Sequence, residues 1–220
     1  MNKKIISKIA IDILMTMILP ILMCYSLIGQ FYHEIIGIIM FVLFILHHIL
    51  NHNWLKSIFK GKYTCQRTFN TIINIGLLCC MFGLIYSGIC ISRYVFTIFN
   101  FRNIKIARTI HMLCSYWGFI LISLHMGYHG KILIAPIKKR FHLKKLKKFS
   151  YTIVTIISII GIYFFIQTNF IDYIFMRSAF IFLDFSTPVI ITIFKYVSIM
   201  VLFAYIGFII SKIFEHRKVK

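Results

Sequence analysis

The chain has 220 residues, of which 60% are hydrophobic and 17% aromatic, and its mean hydropathy is +0.88. Its apolar runs reach about twenty residues, which is long enough to cross roughly 30 Å of hydrocarbon as a helix. A formal net charge of +20 would indicate a nucleic-acid-binding protein if the chain were soluble. In a membrane protein, such an excess of Lys and Arg is typical of loops on the cytoplasmic side. We therefore expect membrane lipids, and not nucleic acid, around this chain.

Six apolar segments are each long enough to span a membrane, and helices are expected because backbone groups in lipid must bond to one another. They cover residues 9–28, 33–51, 69–91, 108–129, 150–168 and 188–211. The sequence therefore predicts an all-α, polytopic transmembrane helix bundle of about six spans.

The distribution of basic residues predicts the topology. With both termini in the cytoplasm, the inner segments hold 19 Lys and Arg residues and the outer segments hold 5. The opposite orientation would place the larger number outside, against the positive-inside rule. We therefore expect a multi-pass protein of the cytoplasmic membrane with both its N- and C-termini inside.

We expect three parts along the chain. Residues 1–130 form a four-helix domain of two tandem two-helix units, because "CYSLIG" and "IYSGIC" precede two similar segments. Residues 131–149 form a basic cytoplasmic loop, whose charges set topology or contact anionic lipid headgroups. Residues 150–220 form two further transmembrane helices with an outer loop.

Two apolar segments carry histidines at both ends with the same spacing: "HEIIGIIMFVLFILH" from His33 to His47, and "HMLCSYWGFILISLH" from His111 to His125. Fourteen residues advance a helix by about 21 Å and by about 40° less than four whole turns, so each pair points to nearly one side. In the expected topology both helices run inward, which levels His33 with His111 and His47 with His125. Facing imidazoles at two depths are suited to hold two stacked haem irons.

Other interpretations of these histidines remain open. An intramembrane histidine is also found as a hydrogen-bonded packing residue. A transporter or channel that uses histidines to bind a metal ion or to relay protons is the alternative function.

Three further residues fit a haem site. Gly118 lies midway between His111 and His125, where a flat macrocycle needs a gap, although glycine also serves close helix packing. Arg93 and Arg108 flank the outer histidines and would pair with anionic haem propionates. Interfacial snorkelling is an equally good account of both arginines.

A second group of histidines, His48, His52 and His129, lies at the inner ends of the two histidine-bearing helices. These side chains suit a quinone pocket, a proton relay or a role as alternative ligands, and His52 and His129 also suit interfacial polar caps. His48 is rotated about 100° from His47 and is not expected to reach the same iron.

The segments "HEIIGIIMFVLFILHHILNHNW" and "RTIHMLCSYWGFILISLHMGYHG", with "SGICIS" between them, resemble the flavinylation-associated cytochrome family. The resemblance covers roughly residues 10–130. More distantly, the arrangement is similar to the cytochrome b subunits of the respiratory bc complex and of formate dehydrogenase.

This resemblance implies a membrane-embedded cytochrome of the bacterial inner membrane, with two haem b groups. Carried over to this chain, the iron ligands are His33, His47, His111 and His125. It also implies electron traffic between the quinone pool and a flavoprotein outside the membrane. No flavin-binding domain is recognisable in these residues, so the flavoprotein is expected to be a separate chain. We expect an electron-transfer subunit of an oxidoreductase system, without a substrate of its own.

Overall fold

A computed structural model describes residues 3–97, 104–141, 147–178 and 187–219 of the chain. Over these residues the secondary structure is entirely helical, which confirms the predicted fold class. The helices are α1 (Lys3–Leu22), α2 (Tyr25–Ile28), α3 (Gln30–Leu50), α4 (Asn53–Ser57), α5 (Cys65–Ile91), α6 (Ile104–Phe141), α7 (Lys147–Gln167), α8 (Phe170–Ile174) and α9 (Val189–Val219).

Five of these helices are long and apolar enough to cross a membrane, in agreement with a multi-pass membrane protein. The spans are Lys4–Leu22, Gln30–Leu50, Cys65–Ile91, Ile104–Gly130 and Val189–His216. The remaining predicted span lies on α7, whose apolar part, Tyr151–Gln167, is shorter. All six apolar segments of the sequence are therefore helical.

Several helix ends differ from the predicted segments. α1 begins at Lys3, ahead of the apolar run, because the lysine, isoleucine and serine residues of this stretch are all compatible with a helix. α6 continues through residue 141, so the basic stretch at 131–149 is helical in part, and its residues 142–146 lie outside the described residues. Part of the loop predicted before the last span also lies outside them, at residues 179–186.

Local sequence explains two of the helix boundaries near the cavity described below. Gly29 joins α2 to α3 with a φ of +82°, a conformation that side-chain-bearing residues adopt at a cost. Thr64 caps α5, where its hydroxyl oxygen accepts a hydrogen bond from the backbone N–H of Arg67 at 3.3 Å. α3 and α5 therefore each begin at a defined residue.

The helices pack as two connected groups. α3 lies against α1, α5 lies against α6, and α9 lies between α6 and α7. At the contacts of α9 the backbones nearly touch, because a Cβ atom added at Gly127, Gly161 or Gly207 would overlap the backbone of the neighbouring helix. Small residues of this kind allow helices to associate in lipid, where apolar side chains alone give no driving force.

Candidate functional site

A cavity of about 1770 Å³ separates α1 and α3 from α5 and α6. Pockets for drug-sized ligands are typically 300–1,000 Å³, so this cavity has room for more than one such molecule. Its middle is lined by apolar side chains such as Phe41, Leu77 and Ile122, and its two ends carry polar side chains. We call these ends the His33 end and the His47 end.

All four predicted ligands line this cavity: His33, His47, His111 and His125. His33 and His111 are at one end, and His47 and His125 are at the other. The arrangement places each histidine of α3 at the same end as the histidine of α6 with which it was expected to pair.

At the His33 end, two imidazoles face each other from α3 and α6. The ring centroids of His33 and His111 are 5.9 Å apart, and the ring planes are inclined by 66°. Two metal–nitrogen bonds of about 2 Å, one on each side of a single ion, would separate the centroids by roughly 6 Å. The spacing therefore fits axial ligation of one metal ion.

The Nδ1 atoms of the two rings differ in their surroundings. His111 Nδ1 lies 3.1 Å from Ser87 Oγ, whose own hydrogen is directed to the carbonyl oxygen of Gly83 at 2.6 Å. Ser87 Oγ is thus left to accept from His111 Nδ1–H, which makes Nε2 the lone-pair nitrogen. His33 Nδ1 is buried and has no hydrogen-bond partner. Buried polar atoms are rarely left without a partner.

At the His47 end, the histidines are arranged more loosely. His47 Nδ1 lies 2.7 Å from Asp12 Oδ1 on α1. The ring packed against His125 is that of His129, at a centroid distance of 4.7 Å. His125 is close enough to His47 to interact with it electrostatically, and its Nδ1 is buried without a hydrogen-bond partner.

The three histidines of the second group do not form one site. His48 and His129 line the cavity, whereas His52 is exposed and lies outside it. His48 Nδ1 donates to the carbonyl oxygen of Phe44 at 2.9 Å, and His129 Nε2 lies 2.9 Å from Asn70 Oδ1. His52 Nδ1 is bonded within its own turn, to the carbonyl oxygen of Ile49.

Both arginines singled out in the sequence, Arg93 and Arg108, line the His33 end of the cavity, together with Lys105. All three side chains are exposed and give this end of the cavity a positive charge. The position suits anionic groups of a bound molecule, because guanidinium groups pair with carboxylates through two parallel hydrogen bonds.

Gly118 lines the cavity, but its bare side faces α5, where an added Cβ would lie 3.6 Å from Cys80 Cβ. Other cavity glycines have more space. A Cβ at Gly37 would have no atom within 4 Å, and one at Gly88 would meet only His111 Cε1 at 4.0 Å.

Sequence reasoning missed three polar residues of the site: Asp12, Ser87 and Glu34. Asp12 carried a signal, since it is an acidic residue within an apolar span. Ser87 carried none, because serine is common in transmembrane helices. Glu34 follows His33 directly, but apart from Gln30 on the same helix its hydrogen-bond partners lie some sixty residues further along the chain.

Glu34 closes the His33 end by joining α3 to the end of α5. Its carboxylate accepts hydrogen bonds from Ser92 Oγ at 2.7 Å and from the backbone N–H groups of Arg93, Tyr94 and Val95 at 2.9–3.1 Å. Four donors from the turn after α5 hold the carboxylate in place. Glu34 therefore connects α3 to the C-terminal end of α5.

The facing imidazoles at the His33 end supply two ligand nitrogens. Among the described residues, no group of three or more His, Cys, Asp or Glu side chains is placed to hold a metal ion. A haem iron needs only two axial ligands from the protein, because the porphyrin supplies the other four. The residues at the His33 end therefore fit haem.

No protein-family model, no curated protein and no solved structure matches this chain.

Proposed function

We propose that this protein is a membrane-embedded b-type cytochrome that holds two haems and carries electrons across the cytoplasmic membrane. The observation that carries the proposal is the pair formed by His33 and His111, with ring centroids 5.9 Å apart across a cavity of about 1770 Å³. The second pair of equally spaced histidines at the other end of the same cavity supports two binding positions.

The roles of the residues follow from their contacts. His33 and His111 would hold one haem, and His47 and His125 the other, while Ser87 and Asp12 orient one imidazole of each pair. Haem supplies the one-electron redox chemistry when bound. Apolar side chains in the middle of the cavity exclude water, which keeps the dielectric low around both positions.

Positive side chains at the His33 end would hold the haem propionates. Arg93 and Arg108 line this end, and pairing with anions there offsets the cost of placing cations near the membrane interior. Glu34 does not compete with the propionates for these arginines, because its carboxylate is already held by four donors of the turn after α5.

The partners follow from the family resemblance and the predicted topology. With both termini in the cytoplasm, the His33 end faces outward, towards a separate extracytoplasmic flavoprotein, and the His47 end faces inward. A quinone of the membrane pool would be the other redox partner, with His48 and His129 as candidate contacts. The chain would then be an electron-transfer subunit without a substrate of its own.

A reduced-minus-oxidised visible spectrum tests the proposal directly. Membranes from cells that express the protein with sufficient haem should show b-type cytochrome bands, and the purified protein should contain two haems per chain. A transporter or channel that uses these histidines for protons or metal ions would show no such bands, and that result would refute the proposal.

Single substitutions test the pairing. We expect His33→Ala and His111→Ala each to lower the haem content from two to one per chain, and His47→Ala and His125→Ala to remove the other haem. His52→Ala is the matched control, because His52 is exposed and lies outside the cavity. Retention of both haems by all four cavity variants would contradict the pairing.

A further experiment distinguishes an electron carrier from an anchor with structural haems. Quinol added to the purified protein should reduce the haems, and a soluble flavoprotein should reoxidise them. Haems that respond to neither reagent would support the structural role instead.

A further inference from the structure

In each of the two histidine pairs, a polar side chain holds the Nδ1 atom of one imidazole, and the Nδ1 atom of the other is buried without a partner. His111 Nδ1 is held by Ser87 and His47 Nδ1 is held by Asp12, whereas His33 Nδ1 and His125 Nδ1 are buried without partners. The two ends of the cavity therefore have the same arrangement of histidines. They differ in the group that orients one imidazole, which is a hydroxyl at the His33 end and a carboxylate at the His47 end.

We propose that Asp12 is the positioning residue of His47, and that its carboxylate makes the His47 end the lower-potential end of the cavity. This inference rests on the proposed function, since it concerns iron bound by the same histidines. It adds the direction in which an electron moves favourably through the protein.

The geometry of Asp12 supports the positioning role. Its Oδ1 lies 2.7 Å from His47 Nδ1, within the range of a short charge-assisted hydrogen bond. Nδ1–H then donates to the carboxylate, and Nε2 keeps the lone pair that binds iron. The bond also joins α1 to α3, so it fixes the ring against a second helix.

The nature of the partner decides the sign of the effect. A carboxylate that accepts from Nδ1–H makes the imidazole a stronger donor, which stabilises ferric iron over ferrous iron and lowers the potential. Ser87 offers His111 only a neutral hydroxyl oxygen, and hydrogen bonds to a neutral acceptor are roughly half as strong. The His33 end therefore lacks an equivalent electron-donating contact.

Charges near the two ends also contribute. At the His33 end the carboxylate of Glu34 opposes the effect, but it is held by Ser92 Oγ and by three backbone N–H groups. Arg93, Lys105 and Arg108 line the His33 end, and positive charge favours the reduced form of iron. At the His47 end the nearby cation is Lys8, one turn before Asp12. Its ammonium group donates to Asn51 Oδ1 at 2.8 Å and leaves the carboxylate of Asp12 to His47.

An electron therefore passes favourably from the His47 end to the His33 end. With haem bound at both ends, the transfer would oxidise iron at the His47 end from ferrous to ferric and reduce iron at the His33 end from ferric to ferrous, with quinol as the source and the flavoprotein as the acceptor. In the proposed topology this direction is outward.

A redox titration of the purified, haem-loaded protein tests the inference, with the visible bands as the readout. Two midpoint potentials are expected in the wild-type protein, and His33→Ala should leave only the lower one. Asp12→Asn keeps the shape of the side chain but removes its charge, and it should raise the lower potential and leave the higher one in place. A tenfold to hundredfold change in the relative stability of the two oxidation states corresponds to roughly 60–120 mV for one electron.

Two further variants complete the test. Asp172→Asn is the matched control, because Asp172 lies on α8 outside the cavity and should leave both potentials unchanged. Ser87→Asp places a carboxylate near His111 and should lower the higher potential. If Asp12→Asn yields too little protein, Ser87→Asp and the assignment of the two potentials by His33→Ala still decide the outcome.

The inference is overturned if His33→Ala leaves the higher potential, or if Asp12→Asn shifts neither potential while both haems are retained. A wild-type protein without haem would instead overturn the proposed function, and the inference with it. The haem content therefore separates the two failures.

Discussion

Glycine residues have opposite roles in the two halves of this protein. In the close-packed half, formed by α6, α7 and α9, the glycines bring helix backbones nearly into contact: a Cβ at Gly127 would overlap the carbonyl group of Ala204. In the open half, formed by α1, α3, α5 and α6 around the cavity, a Cβ at Gly37 would meet no atom within 4 Å. A glycine in a transmembrane helix therefore marks either a contact or a space.

The difference has a physical reason. Apolar side chains gain nothing by leaving lipid for another helix, so helices associate through close packing and polar contacts. The close-packed half has backbone contact along α9. In the open half, α5 packs against α6 and α1 packs against α3. The hydrogen bonds of Glu34 join α3 to the turn after α5 at one end of the cavity, and the middle of the cavity suits a bound molecule.

Removal of haem should have the largest effect on the difference in stability between the two halves. A ligand present at a thousand times its dissociation constant stabilises the folded protein by about 4 kcal/mol. We expect protein from haem-depleted cells to show faster hydrogen exchange in α1 and α3, with little change in α9. Equal changes in both halves would contradict the division of the molecule.

Gly127→Ala should have the next largest effect, because the added methyl group has no space beside Ala204. Overpacking of this kind typically costs about 1–3 kcal/mol. The expected result is a lower thermal unfolding temperature in detergent. Gly130→Ala, where a Cβ would have no atom within 4 Å, is the control on the same helix and should unfold near the wild-type temperature.

Glu34→Gln should weaken the closure of the open half at the His33 end. The neutral side chain keeps one acceptor oxygen for the four donors of the turn after α5, so we expect a loss of about 1–2 kcal/mol. Faster hydrogen exchange at residues 93–95 would report the change. Asp172→Asn removes an exposed ion pair with Arg177 and should have almost no effect.

Gly37→Ala should have the smallest effect and the opposite sign from Gly127→Ala. Alanine favours a helix over glycine by about 0.5–1 kcal/mol, and nothing at this position opposes the added methyl group. A small rise in the unfolding temperature of the haem-free protein is expected. A decrease as large as that of Gly127→Ala would mean that α3 lies closer to its neighbours than the cavity indicates.

Parts of the candidate site were accessible from the sequence and parts were not. The equal spacing of His33 and His47 and of His111 and His125 predicted that each pair shares a helix face, because helical periodicity is a local property. The pairing at the His47 end stays a prediction, since the described contacts of His47 and His125 are with Asp12 and His129. Gly118 shows that the face of a helix on which a residue lies does not determine what it contacts. It lies between His111 and His125 in the sequence, as expected for a haem site, yet its bare side faces Cys80.

The sequence by itself determined that this is an all-helical chain with membrane-spanning segments, because the length and hydropathy of each segment decide whether it can cross lipid as a helix. It also determined which histidines lie on one side of each helix. Only the tertiary structure decided that Asp12 and Ser87 orient the imidazoles, and that a cavity separates α3 from α6. Such contacts depend on the rotation and offset of each helix, which are set by packing between helices far apart in the chain.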